Sequence, residues 1–151
     1  MPRISTADYR SLASFRYEIR KFLAFSEQAA RAAGIEPQQH QLLLAVRGLP
    51  EGTRPTIRAV AERLCVQHHT TVALVDKLEQ RGLIERERSS LDRREVLLKL
   101  TPEGEDMLRS LSALHRQQLR TVGPAMLAVL QTVVAGQGRR TALNRAASAG
   151  E

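Results

Sequence analysis

The sequence is poor in cysteine and in aromatic residues. Its 151 residues include one Cys, no Trp and only 3% aromatic residues. A single cysteine excludes an internal disulfide and is typical of a reducing compartment. With so few rings available, the core must consist mainly of Leu, Val, Ile and Ala, a mixture that favours helices. A chain of this length is expected to fold as one domain.

Several kinds of functional segment are also missing. No apolar run approaches the roughly 18 residues of a membrane span, and the first ten residues, MPRISTADYR, lack the apolar centre of a signal peptide. With the single cysteine, these features predict a cytoplasmic protein. The sequence contains no Gly-rich phosphate loop, nucleophile elbow or paired acidic motif, so we expect neither enzymatic activity nor a cofactor.

What the sequence does have is an excess of positive charge. Lys and Arg total 23 against 16 for Asp and Glu, giving a net charge of +7 and an isoelectric point near 10.7. Arginine supplies most of the basic residues, and its planar guanidinium suits paired contacts to phosphate or guanine. This balance indicates a phosphate-bearing partner such as nucleic acid. The alternative is charge that serves only solubility.

The stretch Leu64–His69, LCVQHH, places the only cysteine beside two histidines. Thiolate and imidazole are both good metal ligands. However, adjacent residues of a helix point about 100° apart, so His68 and His69 are not expected to bind one ion. No second Cys completes a closed site. The sequence therefore predicts no metal site, while a thiol-based redox role for Cys65 stays open as an alternative.

Hydrophobic periodicity predicts four helices in the first half of the chain. They cover about 8–33, a segment opened by Glu36-Pro37, about 57–64, and about 67–81. Gly34 and Gly82 are expected to end the first and the fourth helix. The third and fourth helices meet through a tight turn, which is the helix-turn-helix pattern. We expect Leu64, Cys65 and Val66 to form a buried corner there.

The fourth helix has two distinct faces. Thr71, Leu74, Val75 and Leu78 recur at i, i+3, i+4 and i+7 and are expected to face the core. The opposite face carries His68, His69, Val72, Ala73 and Lys77. One buried face and one polar face fit the second helix of a helix-turn-helix.

A β-hairpin is predicted directly after this helix. Residues 83–88 and 95–100 are strand-like, and SSLDRR between them has the composition of a loop. Thr101-Pro102-Glu103 then restarts a helix, which we expect Gly123-Pro124 to break. A short apolar helix over 125–135 follows, and residues 136–151 are expected to be frayed or weakly helical. The predicted fold class is mainly α with a small β-hairpin wing.

The order of these elements and two local motifs resemble the MarR family (multiple antibiotic resistance regulators) of bacterial transcription factors. The resemblance spans about 8–135, and its most specific part is VDKLEQRGLI followed by DRREVLLKLTPEG within residues 61–105. It implies a homodimer that binds a pseudo-palindromic operator in double-stranded DNA. In that arrangement, residues 36–101 form a winged helix-turn-helix lobe. Residues 8–33 and 102–135 form a helical dimerisation region.

Site residues follow from this arrangement. Gln67, His68, His69 and Thr70 lie at the end of the recognition helix that enters the major groove. Lys77 is expected to contact phosphate. Relatives often have a long polar or basic residue at the position of Ala73; here Ala73 offers apolar surface to a thymine methyl.

The resemblance also assigns roles in the wing. One arginine, Arg94 rather than Arg93, is expected in the minor groove. Asp92 is expected to brace the loop.

Functionally, the resemblance implies a ligand-responsive repressor. Its effector would be a small aromatic or anionic molecule bound between the winged lobe and the dimerisation region. His40, Arg16 and His115 lie on helices that could border such a cleft, but a solvated or core role is favoured for each, and the effector site is left unassigned. The alternatives are a redox regulator acting through Cys65 and a winged-helix adaptor that binds only proteins.

Overall fold

The computed structural model describes residues 3–148, with side chains for residues 3–135. This part of the chain is mainly helical with one antiparallel hairpin, so the predicted fold class is confirmed. None of the described helices is long and apolar enough to cross a membrane. The elements are α1 (Thr6–Ala32), α2 (Pro37–Arg47), α3 (Ile57–Leu64), α4 (His68–Gln80), β1 (Ile84–Arg88), β2 (Val96–Leu100) and α5 (Pro102–Ser148).

The chain divides into two compact units. Residues 26–114 form the first, which we call the winged unit; residues 1–25 and 115–151 form the second, the terminal unit. The core of the winged unit is aliphatic, as the scarcity of rings predicts. Its largest fully buried apolar side chains are Ile35, Leu42, Leu43, Leu78, Ile84, Leu98 and Leu111.

The turn between α3 and α4 differs from expectation at Cys65. This residue is exposed and adopts the left-handed conformation, with φ 54° and ψ 39°. The backbone N–H groups of Cys65 and Val66 both donate to the carbonyl of Ala61, which closes the C-terminus of α3. The expected buried corner is therefore wrong for Cys65, because the left-handed residue of such a cap projects into solvent. Leu64 and Val66 are half-buried.

Backbone hydrogen bonds attach the hairpin to the end of α4 and to the segment before α3. Ile84 pairs with Leu100 and Arg88 with Val96, so the register leaves residues 89–95 as the loop. Gly82, with φ +69°, allows the chain to leave α4, and Leu83 N–H donates to the Leu78 carbonyl at 3.0 Å. On the other edge, Leu98 N–H donates to the Pro55 carbonyl at 2.8 Å. The segment before α3 therefore adds a backbone contact to the wing.

Helix α5 is longer than the sequence predicts. It runs from Pro102 to Ser148 with Pro124 inside it, so Gly123-Pro124 does not break it and no separate helix covers 125–135. Pro124 is exposed, so its ring lies at the helix surface. The helical hydrogen bond that a proline cannot donate is lost on that exposed side. The predicted tail, residues 136–151, lies outside the residues with described side chains.

A stripe of buried and half-buried side chains continues along α5 past Pro124. Buried or half-buried positions recur every three or four residues on each side of Pro124, as one helical face requires. All but two of them are apolar. They are Leu108, Leu111, His115, Gln118, Val122, Met126, Val129 and Val133.

Candidate nucleic-acid interface

The first turn of α4 is open to solvent. Gln67 is the N-cap residue, and Gln67, His68 and His69 are all exposed, while Thr70 is half-buried. Within the described residues, the Gln67 side chain makes no capping hydrogen bond. The first N–H groups of α4 can therefore donate to an acceptor from outside the chain, and the helix dipole favours an anion there.

The rest of α4 separates into the two predicted faces. Thr71, Leu74, Val75 and Leu78 are buried, which confirms the inward face. On the outer side, Ala73 and Lys77 are exposed and Val72 is half-buried. His69, Ala73 and Lys77 are each four residues apart, so they form one exposed row along the helix.

Two arginines hold α4 in place. Arg81 donates to the Gln39 side chain at 3.0 Å and to the Gly34 carbonyl at 2.6 Å, tying the C-terminal end of α4 to the α1–α2 turn. Arg86 on β1 donates to Asp76 at 2.5 Å and also pairs with Glu79. The hydrogen bond to Asp76 and the nearby carboxylates raise the pKa of Arg86 above its ordinary value. Arg86 therefore stays positively charged in this ion pair.

The wing loop presents its cations to solvent. Arg93 and Arg94 are exposed, as is Leu91, whose exposed fraction is 86%. The Asp92 carboxylate accepts a hydrogen bond from the backbone N–H of Arg94 at 2.9 Å, and the Asp92 carbonyl accepts one from Glu95 N–H at 3.0 Å. The loop is thus a hydrogen-bonded turn that carries two outward arginines.

The base of the wing holds three residues that sequence reasoning did not single out. Arg54, two residues before the N-cap of α3, forms an ion pair with Glu95 and donates to the Ser89 hydroxyl. Ser89 is buried at 4% exposure, although it lies in the wing loop directly after β1. No local pattern could have revealed this cluster, because Arg54 and Ser89 are 35 positions apart in the chain.

The outer face of the hairpin is more acidic than its loop. Lys99 lies 3.1 Å from Glu87 and 3.7 Å from Glu85, and all three side chains are largely exposed. The hydrogen bond to Glu87 and the two carboxylate charges raise the pKa of Lys99. The positive charge of Lys99 is therefore offset by two neighbouring carboxylates of β1.

A groove of about 630 Å³ lies beside α4, within the winged unit. It is lined by Glu27, Arg31, Glu36, Pro37, Gln38, Gln39, Leu74 and Lys77. No group of three metal-ligating side chains occurs among the described residues.

The residues weighed for an effector lie elsewhere. His40 is buried in α2 and Arg16 is exposed on α1. His115 is half-buried and packs edge-to-face against two phenylalanines. Its ring centroid lies 6.1 Å from that of Phe22 and 5.8 Å from that of Phe25. None of the three lines the groove.

The interface lies in a region that matches known proteins. Residues 33–95 match the family model described as MarR family. A Thauera aromatica protein named as a putative transcriptional regulatory protein for the hcr operon is 33% identical over 89 residues. That match covers 59% of this chain and spans about half, 52%, of the length of the relative.

Solved structures share the fold over a longer range. CouR from Rhodococcus jostii, bound to p-coumaroyl-CoA, is 26% identical with a TM-score of 0.58, covering 75% of this chain and 83% of that one. A MepR mutant from S. aureus bound to an oligodeoxyribonucleotide is 18% identical with a TM-score of 0.61, covering 99% and 100%. Residues 33–95 thus resemble the MarR family, and these solved structures share the winged helix-turn-helix fold of the chain.

Proposed function

We propose that this chain is a sequence-specific, double-stranded DNA-binding transcriptional regulator of the cytoplasm. In its finer form, the proposal is a ligand-responsive repressor that binds a pseudo-palindromic operator as a homodimer. The observation that carries it is the exposed first turn of α4 beside a wing loop with two outward arginines. A relative of the same fold, MepR, is bound to an oligodeoxyribonucleotide. No catalytic role is proposed.

The N-cap, first turn and outer side of α4 support distinct roles for their residues. Gln67, His68, His69 and Thr70 would meet base edges or phosphates at the mouth of the major groove. Ala73 would contact a thymine methyl and Lys77 a phosphate. Each of these side chains has the exposure that its role requires, except Thr70, which is half-buried.

Exposed apolar side chains in the terminal unit support the homodimer. Eight lie between 41% and 65% exposed within α1 up to Phe25 and α5 from His115. Large apolar groups left in water on two helices favour a partner surface of the same chain. They are Tyr9, Leu12, Tyr17, Leu23, Leu119, Leu127, Leu130 and Val134.

The ligand response is proposed by analogy with CouR, which is bound to p-coumaroyl-CoA. A small aromatic or anionic effector would act by favouring a state with weaker operator affinity. Titrating hydroxycinnamoyl-CoA or benzoate-type acids into the protein–operator complex tests this part. Release of DNA at micromolar ligand concentration would support the effector. Unchanged operator affinity with every compound would contradict the effector but not the DNA binding.

A second candidate function comes from Cys65. Its thiol is exposed at the turn before the recognition helix, so an oxidant could reach it. A bulky adduct there would crowd the surface that meets DNA. Loss of operator binding after peroxide, absent in Cys65→Ser, would support a redox regulator; equal peroxide response in both proteins would exclude it.

The DNA-binding proposal is tested by mobility shift on DNA upstream of the chain's own gene. Binding should be selective over scrambled DNA at physiological salt and should weaken as salt rises. Arg94→Ala should weaken binding by roughly tenfold. His69→Ala should also alter base preference. Equal affinity for both DNAs would contradict the proposal, and an unchanged base preference would contradict the specificity role of His69.

A further inference from the structure

A chain of hydrogen bonds links the segment before α3 to the wing loop. Arg54 has two partners: one guanidinium nitrogen forms an ion pair with the Glu95 carboxylate, and another donates a hydrogen bond to the Ser89 hydroxyl. The same hydroxyl accepts from the backbone N–H groups of Leu91 at 3.1 Å and Asp92 at 3.3 Å. The Asp92 carboxylate then accepts from Arg94 N–H. The bonds from the N–H groups of Leu91, Asp92 and Arg94 fix the backbone of the loop that carries the two outward arginines.

We propose that Arg54 is a positioning residue that sets the conformation of the wing loop for DNA binding. It acts through Ser89 and Glu95, not through a contact of its own with DNA. The geometry favours this role because a planar guanidinium presents its nitrogens to Glu95 and Ser89 in fixed directions, which a lysine does not. Ser89 is buried at 4% exposure, so its hydroxyl needs the partners it has.

Arg54 also ties the wing to the helix-turn-helix. It lies next to Pro55, whose carbonyl accepts from Leu98 N–H, and two residues before Thr56, whose hydroxyl caps α3 by accepting from Ala59 N–H at 3.2 Å. A side chain at this point can hold the wing loop and the start of α3 in one arrangement. The two parts that would contact DNA thereby share a common support.

The competing interpretation is that Arg54 binds a phosphate directly, since its side chain is 40% exposed. The two roles predict opposite effects of removing Glu95. If Arg54 contacts phosphate, Glu95→Ala frees that cation, removes a nearby negative charge and should strengthen DNA binding. If Arg54 positions the loop through Glu95, the same change should weaken binding severalfold. Glu51→Ala is the control, because it removes one exposed carboxylate outside this cluster.

A double-mutant cycle provides the second test. Arg54→Ala should weaken operator binding by roughly tenfold, and no more than Arg94→Ala does. In the Arg94→Ala background the additional loss should fall below about twofold, since the loop has lost its main groove contact. Arg54→Lys should not restore binding. Full additivity, or full rescue by lysine, would overturn the positioning role in favour of a phosphate contact.

A third readout needs no DNA. Amide exchange of Leu91 and Asp92 in the free full-length protein should accelerate by about fivefold or more in Arg54→Ala, because their acceptor Ser89 loses its anchor. Amides in the α2 core should be unaffected. Unchanged exchange at Leu91 and Asp92 would overturn the inference.

The DNA measurements rest on the proposed function, whereas the exchange measurement does not. If the wild-type protein shows no selective DNA binding, the proposed function fails and the exchange result alone decides whether Arg54 orders the loop. If binding is selective but Arg54→Ala changes neither affinity nor exchange, only the positioning role fails.

Discussion

Cys65 holds a backbone conformation that side chains avoid. At φ 54° and ψ 39° it lies in the left-handed region, which costs a residue with a side chain about 1–2 kcal/mol. The conformation is imposed by the two N–H groups that close α3 and by the direction in which the chain must turn into α4.

We predict that Cys65→Gly leaves the free energy of unfolding unchanged or raises it by up to about 1 kcal/mol. Relief of the left-handed strain outweighs or matches the greater freedom of glycine in the unfolded chain. Cys65→Val should lower stability by about 1–2 kcal/mol, since a β-branched side chain tolerates this region least. Urea denaturation followed by circular dichroism measures both. A less stable glycine variant would contradict the assignment of strain.

Gly104 is a second residue where the backbone leaves no room. A Cβ atom there would lie 2.0 Å from the carbonyl oxygen of Leu83, so α5 approaches the start of the hairpin directly over this position. Thr101 supports the approach by donating to the Gly82 carbonyl at 2.6 Å and accepting from Gly104 N–H at 3.1 Å.

Gly104→Ala should therefore destabilise the protein by about 1–3 kcal/mol, the cost of forcing backbone apart. Gly123→Ala is the matched control in the same helix, because no described atom other than its chain neighbours and the nearby backbone of its own helix lies within 4 Å of its Cβ position. The control should change stability by less than about 1 kcal/mol, since the helix preference of alanine is opposed by the restriction that Pro124 places on the residue before it. Similar thermal midpoints for the two variants would contradict the close approach.

Among the elements, α4 and the wing divide the proposed DNA contacts between them. The first turn of α4 would read bases, while Lys77, two turns further along, would meet only phosphate. The salt dependence of binding separates these kinds of contact.

Lys77→Ala should weaken binding to all operator variants equally and reduce the slope of log K against log salt concentration by about 0.9. Lys21→Ala, in the terminal unit and paired with Glu18, is the control and should leave the slope unchanged. A changed base preference in Lys77→Ala would show that Lys77 reads sequence instead.

The elements differ in how far the sequence predicts them. The buried face of α4 is predictable residue by residue, because four apolar or small side chains at helical spacing admit one orientation. The hairpin is predictable from its turn composition. The continuation of α5 past Pro124 is not predictable. Proline is locally expected to end a helix, and the mainly apolar stripe that continues past it is seen only in the folded structure. The Arg54–Ser89–Glu95 cluster depends wholly on tertiary contacts.

At the scale of the whole molecule, the net charge does not mark the proposed interface. Residues 26–114 contain 13 basic and 13 acidic residues, so the whole excess of +7 belongs to residues 1–25 and 115–151. The basic composition thus suggests a nucleic-acid partner without locating its site.

Within the winged unit, the proposed interface depends on local arrangement instead. Asp76 and Glu79 are paired with Arg86, and Glu95 is paired with Arg54. These pairs neutralise acidic side chains near the wing, while Arg93 and Arg94 stay exposed on its loop.

The proposed homodimer is also a property of the whole molecule. Sedimentation equilibrium of the full chain should give roughly twice the 16.8 kDa chain mass. Leu127→Glu, in the terminal unit, should shift the mass toward the monomer, since it places a charge on exposed apolar surface. Leu91→Glu, on the wing loop, should not. A monomeric wild-type chain at micromolar concentration would contradict the dimer.

The most direct test of the central claim is selection of DNA by the full chain from a pool of random double-stranded oligonucleotides at physiological salt. We expect enrichment of one pseudo-palindromic sequence whose half-sites are centred about one helical turn, or ~34 Å, apart. We also expect His69→Ala to recover a different base at one position of each half-site. Recovery of no common sequence, with equal affinity for selected and starting DNA, would contradict the claim that this chain reads DNA sequence.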